Sequence, residues 1–202
     1  YDKMYGASYR DRTGDEEMKS LEEKTIAKEQ IFSGKVIDLY VEDVELPNGK
    51  ASKREIVKHP GAVAVLAVTD EGKIIMVKQF RKPLERTIVE IPAGKLEKGE
   101  EPEYTALREL EEETGYTAKK LTKITAFYTS PGFADEIVHV FLAEELSVLE
   151  EKRELDEDEF VEVMEVTLED ALKLVESREV YDAKTAYAIQ YLQLKEALQA
   201  QK

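Results

Sequence analysis

A short acidic segment with glycines at fixed positions constrains this chain more than any other feature. Residues 94–116 read GKLEKGEEPEYTALRELEEETGY. In a helix, Glu109, Glu112 and Glu113 would share one face, because residues three and four apart are neighbours there. Carboxylates this close repel each other unless a cation lies among them. Such a density of oxygen ligands favours a hard divalent cation.

The same segment carries signals for where its helix begins and ends. Pro102 suits the first helical turn, and the acids beside it suit the positive end of the helix dipole. Ala106 and Leu110 belong to an apolar stripe that can be buried. Gly115 is placed to end the helix in the left-handed conformation. The sequence therefore predicts a loop over residues 94–99, an acidic amphipathic helix and a second loop.

The spacing of charged residues and glycines resembles the signature of the Nudix hydrolase family, G-x5-E-x7-R-E-U-x-E-E-x-G-U, where U is a bulky aliphatic residue. The one departure is a tyrosine at the final U, an apolar packing position, so it puts little in doubt. A solvated acidic helix face is the alternative interpretation, but it does not explain the spaced glycines or the arginine. The matching positions are Gly94, Glu100, Arg108, Glu109, Leu110, Glu112, Glu113, Gly115 and Tyr116.

The resemblance implies hydrolysis of a pyrophosphate bond with two or three Mg²⁺ ions, or Mn²⁺ as a substitute. Bound cations would neutralise the anionic oxygens that repel a nucleophile and would help to deprotonate the attacking water. Arg108 is expected to orient Glu100 or the metal-binding carboxylates, and Glu112 is a second candidate for the catalytic base. The implied metal ligands in this segment are the backbone carbonyl of Ala93 and the carboxylates of Glu109, Glu112 and Glu113.

The general base is expected in an acidic loop outside the segment, because this is where similar nucleotide-sugar Nudix enzymes often place it. That loop reads Leu155-Asp156-Glu157-Asp158-Glu159. We interpret Glu157 as the base and Glu159 as an additional metal contact. A solvated acidic loop is the alternative.

A proline downstream narrows the resemblance to the ADP-ribose pyrophosphatases of the family. Pro131 lies sixteen residues after Gly115, as it does in those enzymes, although Pro-Gly is also a common turn pair. Further substrate contacts are assigned by position: Arg81 to a phosphate and Glu136 to a ribose hydroxyl. Arg54 and Glu55 match substrate-contact positions of the family. Each of these charged residues could instead form a surface ion pair.

The pattern of strands and helices indicates an α/β (α+β) chain. The resemblance implies the Nudix α/β/α sandwich with a mixed sheet over residues 61–202, preceded by a small antiparallel β-sheet and dimerisation domain over residues 18–60. Residues 1–17 lack apolar periodicity, and we expect them to be an extension added to the natural chain. Residues 31–59 alternate as strands do, and an Asn-Gly pair at 48–49 between two such runs predicts a hairpin. Other strands are predicted at 61–69, 73–80, 124–129, 136–146 and 161–167, and helices at 167–177 and 182–198.

The small sheet also predicts a homodimer. Such a sheet is too small to be stable alone, and the final helix is apolar over a wide arc, with Ala186, Ile189 and Leu192 among its residues. A two-fold contact is the commonest way to cover such surfaces. The resemblance implies that the sheet is exchanged between subunits and helps to form the substrate pocket.

Composition limits the partners. The formal net charge of −15 argues against binding to nucleic acid or to an anionic membrane. The chain has no cysteine, which excludes disulfides and thiolate metal sites. His59 and His139 are too few and too far apart in sequence for a zinc site. A cytoplasmic enzyme with a small-molecule substrate is expected.

Three functions remain open. The first is hydrolysis of ADP-ribose to AMP and ribose 5-phosphate. The second is hydrolysis of another nucleoside diphosphate sugar such as GDP-mannose, since contacts to the base cannot be read from the sequence. The third is a non-catalytic Nudix-fold regulator, but such proteins usually have a damaged signature and an added DNA-binding domain.

Overall fold

The computed structural model describes residues 21–151, 153 and 160–201. The expected extension over residues 1–17 lies outside them. None of the helices in this described part is long and apolar enough to cross a membrane. The strands are β1 Lys24–Ser33, β2 Asp38–Glu45, β3 Ala51–Lys58, β4 Ala62–Val68, β5 Ile74–Arg81, β6 Arg86–Glu90, β7 Ala93–Lys95, β8 Tyr116–Tyr128, β9 Ile137–Val148 and β10 Val161–Val166, and the α-helices are α1 Pro102–Thr114, α2 Leu168–Glu176 and α3 Ala183–Gln199.

A three-stranded antiparallel sheet in the order β1-β2-β3 precedes the rest of the fold. The predicted hairpin joins β2 to β3, where Gly49 takes a φ of +79° and the Asn48 side chain accepts a hydrogen bond from the Lys50 amide at 3.0 Å. Strand β1 was not predicted before residue 31. All ten of its residues are exposed, so it lacks the buried alternation by which strands are recognised.

The larger sheet has seven strands, with β10-β5-β4-β9-β8 as its main path, β6 paired to β5 and β7 paired to β4. Strands β4 and β9 run parallel, whereas the other pairs are antiparallel. This is the mixed sheet that the resemblance implied.

Helices cover both faces of this sheet. Alternate residues of a strand point to opposite faces. Val65 and Phe141 pack on the side of Ala106 and Leu110 from α1. On the other face, strand residues including Ala64, Leu66, Met76 and Leu142 pack with Ala171 of α2 and with Ala188, Ile189 and Leu192 of α3. The predicted α/β/α sandwich is confirmed.

The helix boundaries follow the predicted signals. Helix α1 begins at Pro102 and ends before Gly115, which has a φ of +76° and donates its amide to the Glu111 carbonyl. The Thr167 hydroxyl caps α2, and the Asp182 carboxylate caps α3 by accepting the Thr185 amide at 3.1 Å.

Three further strands differ from the sequence-based expectation. Strand β6 was not predicted, and the short β7 replaces part of the loop expected over residues 94–99. Strand β8 begins at Tyr116, eight residues before the predicted position 124. Its first half contains Lys119, Lys120 and Thr122, and such a polar sequence gives little strand signal although long pairing with β9 stabilises it.

Candidate active site

The first contact of the site joins β7 to α1. A Cβ atom at Gly94 would lie only 1.9 Å from Cδ of Glu109 and 2.0 Å from its nearer carboxylate oxygen. Glu109 is buried, with 7% of its surface exposed. The glycine is therefore needed here because the Glu109 carboxylate fills the space that a side chain would take.

The second contact places another acidic residue of α1 against the start of β7. The backbone amide of Ala93 donates a hydrogen bond to Oε2 of Glu113 at 3.1 Å. Glu113 is 2% exposed, and burial of a carboxylate requires such partners. Strand β7 is itself held by β4, where Ala93 pairs with Ala64.

Arg108 lies among three carboxylates at the side of α1. Its Nη1 is 3.0 Å from Glu109 Oε1 and 2.8 Å from Glu112 Oε2, and its Nη2 is 3.2 Å from Glu100 Oε2. The Thr105 hydroxyl also donates to Glu100, at 2.8 Å. This is the contact pattern expected of a residue that orients carboxylates.

These contacts set the protonation of the cluster. Burial alone would lower the pKa of Arg108, but the charge of Glu109 and the hydrogen bond to Glu112 outweigh it, so the pKa is raised. Burial likewise acts to raise the pKa of Glu100, but hydrogen bonds from Thr105 and Arg108 lower it below its usual range. Arg108 is thus charged and Glu100 ionised at neutral pH.

The donor atoms of the cluster suit a hard divalent cation, since every candidate ligand is an oxygen. Gly94 leaves room for Glu109 beside β7. In the arrangement seen, Glu109 and Glu112 face Arg108 while Glu113 faces the Ala93 amide. Across the described residues, no three Asp, Glu, His or Cys side chains are grouped closely enough to hold a metal. The carboxylates of α1 would have to turn away from these partners to share an ion.

Arg81 lies at the end of β5 and is joined to a buried acid that the sequence analysis missed. Its Nε donates to Glu90 Oε2 at 2.6 Å, and Glu90 is 3% exposed. Burial acts to lower the pKa of Arg81, but Glu90, with smaller contributions from Glu113 and Asp182, raises it. A charged residue within the apolar run Thr87-Ile88-Val89-Glu90-Ile91 is the signal that could have identified Glu90.

The loop before β9 contains the predicted Pro131 and Glu136. Pro131 is exposed at its turn, and Glu136 accepts a hydrogen bond from the Thr129 hydroxyl. Glu136 Oε1 is also 3.8 Å from His59 Nε2. The end of β3 packs on this loop, since the Val57 amide donates to the Phe133 carbonyl at 2.8 Å.

Arg54 and Glu55 lie on β3, and neighbouring strand residues point to opposite faces. Arg54 forms a two-pronged ion pair with Glu23, with Nε–Oε2 at 2.8 Å and Nη2–Oε1 at 2.5 Å, whereas Glu55 is exposed. Within the described part of one chain, neither residue contacts Glu109, Glu112 or Glu113.

Glu157 and Glu159 lie outside the described residues. The described residues on either side of this segment are Arg153 and Phe160, and Arg153 Nη2 is 2.8 Å from the buried Glu111 carboxylate of α1. The assignments of Glu157 as base and Glu159 as metal contact stay predictions.

The chain is similar in sequence to several known proteins. The chain is 63% identical over 180 residues, 89% of this chain and 97% of the relative, to a methanol dehydrogenase activator of Bacillus methanolicus. It is 43% identical over 121 residues, 59% of this chain and 58% of the relative, to an ADP-ribose pyrophosphatase of Mycobacterium tuberculosis. A GDP-mannose pyrophosphatase of Salmonella typhimurium is 33% identical over 183 residues, covering 84% and 94%.

A solved structure of an ADP compounds hydrolase has the same fold, with a TM-score of 0.77 at 23% identity, covering 91% of this chain and 98% of that one. The model of the NUDIX domain matches residues 58–186, which include both the α1 carboxylates and the strands that position them. The signature read from the sequence and these matches agree, and the chain belongs to the Nudix family.

Proposed function

We propose that this protein is an Mg²⁺-dependent pyrophosphohydrolase that cleaves ADP-ribose to AMP and ribose 5-phosphate. The observation that carries the proposal is the packing of Glu109 against Gly94, with Glu113 held beside Ala93, because it brings two of the signature carboxylates together beside β7. The relative from M. tuberculosis named ADP-ribose pyrophosphatase supports this substrate. The relatives named GDP-mannose pyrophosphatase support the alternative, which is hydrolysis of another nucleoside diphosphate sugar.

The site residues would divide into those that hold the cation and those that orient them. Bound Mg²⁺ would neutralise pyrophosphate charge and favour ionisation of the attacking water. The water oxygen forms a bond to phosphorus as the bridging P–O bond breaks, and its proton passes to the Glu157 carboxylate. Arg108 orients the carboxylates of Glu100, Glu109 and Glu112. The proposed metal ligands are the Ala93 carbonyl, Glu109, Glu112, Glu113 and Glu159.

Substrate recognition would use residues from two subunits. Arg81 is proposed to contact a phosphate, and Glu136, on the Pro131 loop, a ribose hydroxyl. Since the described part of one chain does not bring Arg54 and Glu55 to α1, we propose a homodimer in which the three-stranded sheet supplies them to the partner's site. The exposed apolar residues of β1 support such a contact: Ile26, Ile31 and Phe32 are 61%, 50% and 54% exposed.

A substrate panel with Mg²⁺, with products separated by chromatography, tests the proposal. ADP-ribose should give AMP and ribose 5-phosphate faster than GDP-mannose gives its products. Glu113→Gln should lower turnover by about 10²-fold or more, the usual scale for loss of one strong electrostatic stabiliser. Glu111→Gln is the matched control, because Glu111 is also a buried acid of α1 but contacts Arg153 and Thr117. Equal activity of Glu113→Gln and wild type would refute the metal assignment.

A second candidate function is activation of a dehydrogenase. The 63% identity to the protein named methanol dehydrogenase activator, over 97% of that protein's length, favours this candidate. Wild type and Glu113→Gln should each be added to a methanol dehydrogenase. Activation by both would indicate a non-catalytic regulator, whereas activation by wild type alone would make hydrolysis the cause.

A further inference from the structure

Glu90 is a buried carboxylate shared by two cations from different parts of the fold. Its Oε2 accepts the Arg81 Nε at 2.6 Å, and its Oε1 accepts the Lys184 ammonium group. The side chain of Glu90 is 3% exposed, that of Lys184 is 15% exposed and that of Arg81 is 38% exposed. Glu90 is therefore fixed in place, whereas part of Arg81 reaches solvent.

The amino end of α3 holds this carboxylate and the chain beside it. Lys184 is also 2.9 Å from Asp182, the residue that caps α3. The Ile91 amide donates to the Thr185 hydroxyl at 3.1 Å. Two residues further on, the Ala93 amide contacts Glu113, so one short segment connects α3 with the α1 carboxylates.

Glu90 orients the Arg81 side chain but leaves its other N–H donors available. Glu90 uses Nε, and a guanidinium has four more N–H donors on its terminal nitrogens. A planar fork of this kind matches a phosphate. The negative charge of Glu113 also contributes to raising the pKa of Arg81, and the short segment 90–93 contains the partners of both Arg81 and Glu113.

We infer that Glu90 is a positioning residue, anchored by Lys184, that holds Arg81 for a phosphate group of the substrate. The inference rests on the proposed function, because it needs an anionic substrate beside α1. Without Glu90, Arg81 would lose the partner that fixes its side chain and would sample orientations that do not meet the phosphate. Glu90 itself does not touch the reacting atoms.

A double-mutant cycle with Glu90→Gln, Arg81→Ala and the double variant tests this relation by kcat/KM. Glu90→Gln should reduce kcat/KM about tenfold, within the range of couplings measured for contacting charged residues, and the loss should lie mainly in KM. In the Arg81→Ala background, Glu90→Gln should cause no further loss. An equal loss in both backgrounds would overturn the inference and leave Glu90 a purely structural residue.

Glu144→Gln is the matched control. Its carboxylate is also shared by two cations, Lys120 at 2.6 Å and Lys195 at 2.8 Å. Glu144 follows Ala143, which pairs with Ala67 at the end of β4 away from β7, so its loss should leave kcat/KM unchanged. A drop in kcat/KM equal to that of Glu90→Gln would show a general effect of lost ion pairs and contradict the inference.

A measurement independent of turnover separates this inference from the proposed function. In ¹⁵N NMR spectra, the Arg81 Nε–H resonance, identified by its loss in Arg81→Ala, should be resolved in wild type and broadened or shifted in Glu90→Gln. If that change occurs but no nucleoside diphosphate sugar is hydrolysed, the contact stands and the proposed function fails. If hydrolysis occurs and the Arg81 Nε–H resonance is the same in wild type and Glu90→Gln, the positioning role fails.

Discussion

Replacing Gly94 by alanine tests whether the glycine serves to admit the Glu109 carboxylate. The added Cβ would lie 1.9 Å from Glu109 Cδ, so the carboxylate would have to retreat by about 1.5 Å to reach ordinary contact at 3.4 Å. Gly94 does not have a positive φ, so alanine adds no backbone strain of its own. The effect of Gly94→Ala should therefore act through Glu109.

The displacement is large compared with what a metal ligand tolerates. Mg²⁺ demands near-ideal geometry at about 2.0–2.1 Å, so a Cβ that crowds the Glu109 carboxylate should hinder its turn toward the ion. We expect kcat/KM to fall by about 10²-fold and the Mg²⁺ concentration for half-maximal activity to rise. Crowding of a buried side chain should also lower the free energy of unfolding by about 1–3 kcal/mol.

The assay combines turnover against Mg²⁺ concentration with chemical denaturation. Gly132→Ala is the steric control for stability, because no atom lies within 4 Å of its added Cβ. In a Glu109→Ala background, Gly94→Ala should cost almost nothing more, because the conflicting carboxylate is gone. Full activity in Gly94→Ala, or an undiminished loss in the Glu109→Ala background, would refute the reasoning.

Three further predictions use the rest of the site. Glu157→Gln should lower kcat and leave KM and the Mg²⁺ requirement little changed; recovery at higher Mg²⁺ would make it a ligand instead. The pKa of Glu100 is lowered from 4.5, so its ionised form stabilises the fold above that pH and the contribution is lost as pH falls through the lower folded pKa. Denaturation should therefore show that Glu100→Gln destabilises the protein at pH 7 but less below about pH 4, and a pH-independent difference would oppose this. Mixing inactive Glu113→Gln and Arg54→Ala subunits should restore part of the activity if sites are composite, whereas a fully active monomer by light scattering would exclude the exchanged dimer.

The sequence predicted best where local chemistry decides the structure. Pro102 and Gly115 bound α1 as expected, because helix ends depend on nearby backbone groups. The Asn48-Gly49 turn and the cap at Asp182 are local in the same sense. The family and its fold followed from the signature, whereas the cytoplasmic location and the division into domains at residue 60 stay predictions.

The sequence predicted least where distant segments meet. Strand β6 contains Glu90, whose partners Arg81 and Lys184 are nine and ninety-four residues away, and no local pattern pairs them. The fully exposed β1 carries no burial period. Spacing alone put three carboxylates on one helical face, but Arg108 and the Ala93 amide decide where they turn.

The charges of the site finally predict that substrate binding itself needs the metal. Arg108 contacts Glu100, Glu109 and Glu112, and with Glu113 beside them the group carries a formal charge of about −3 at neutral pH. The cluster of Arg81, Lys184, Glu90 and Asp182 is formally neutral. An anionic pyrophosphate therefore meets a repulsive field, and bound divalent cations would reduce it.

Removal of the metal should thus weaken binding and not only stop turnover. The Glu157→Gln variant allows calorimetric titration with ADP-ribose in Mg²⁺ and in EDTA without rapid loss of the ligand. We expect the affinity to fall tenfold or more in EDTA, on the order of the effects that local fields have on charged ligands. Equal affinity in both buffers would mean that the protein binds the pyrophosphate without a cation, and the charge argument would be wrong.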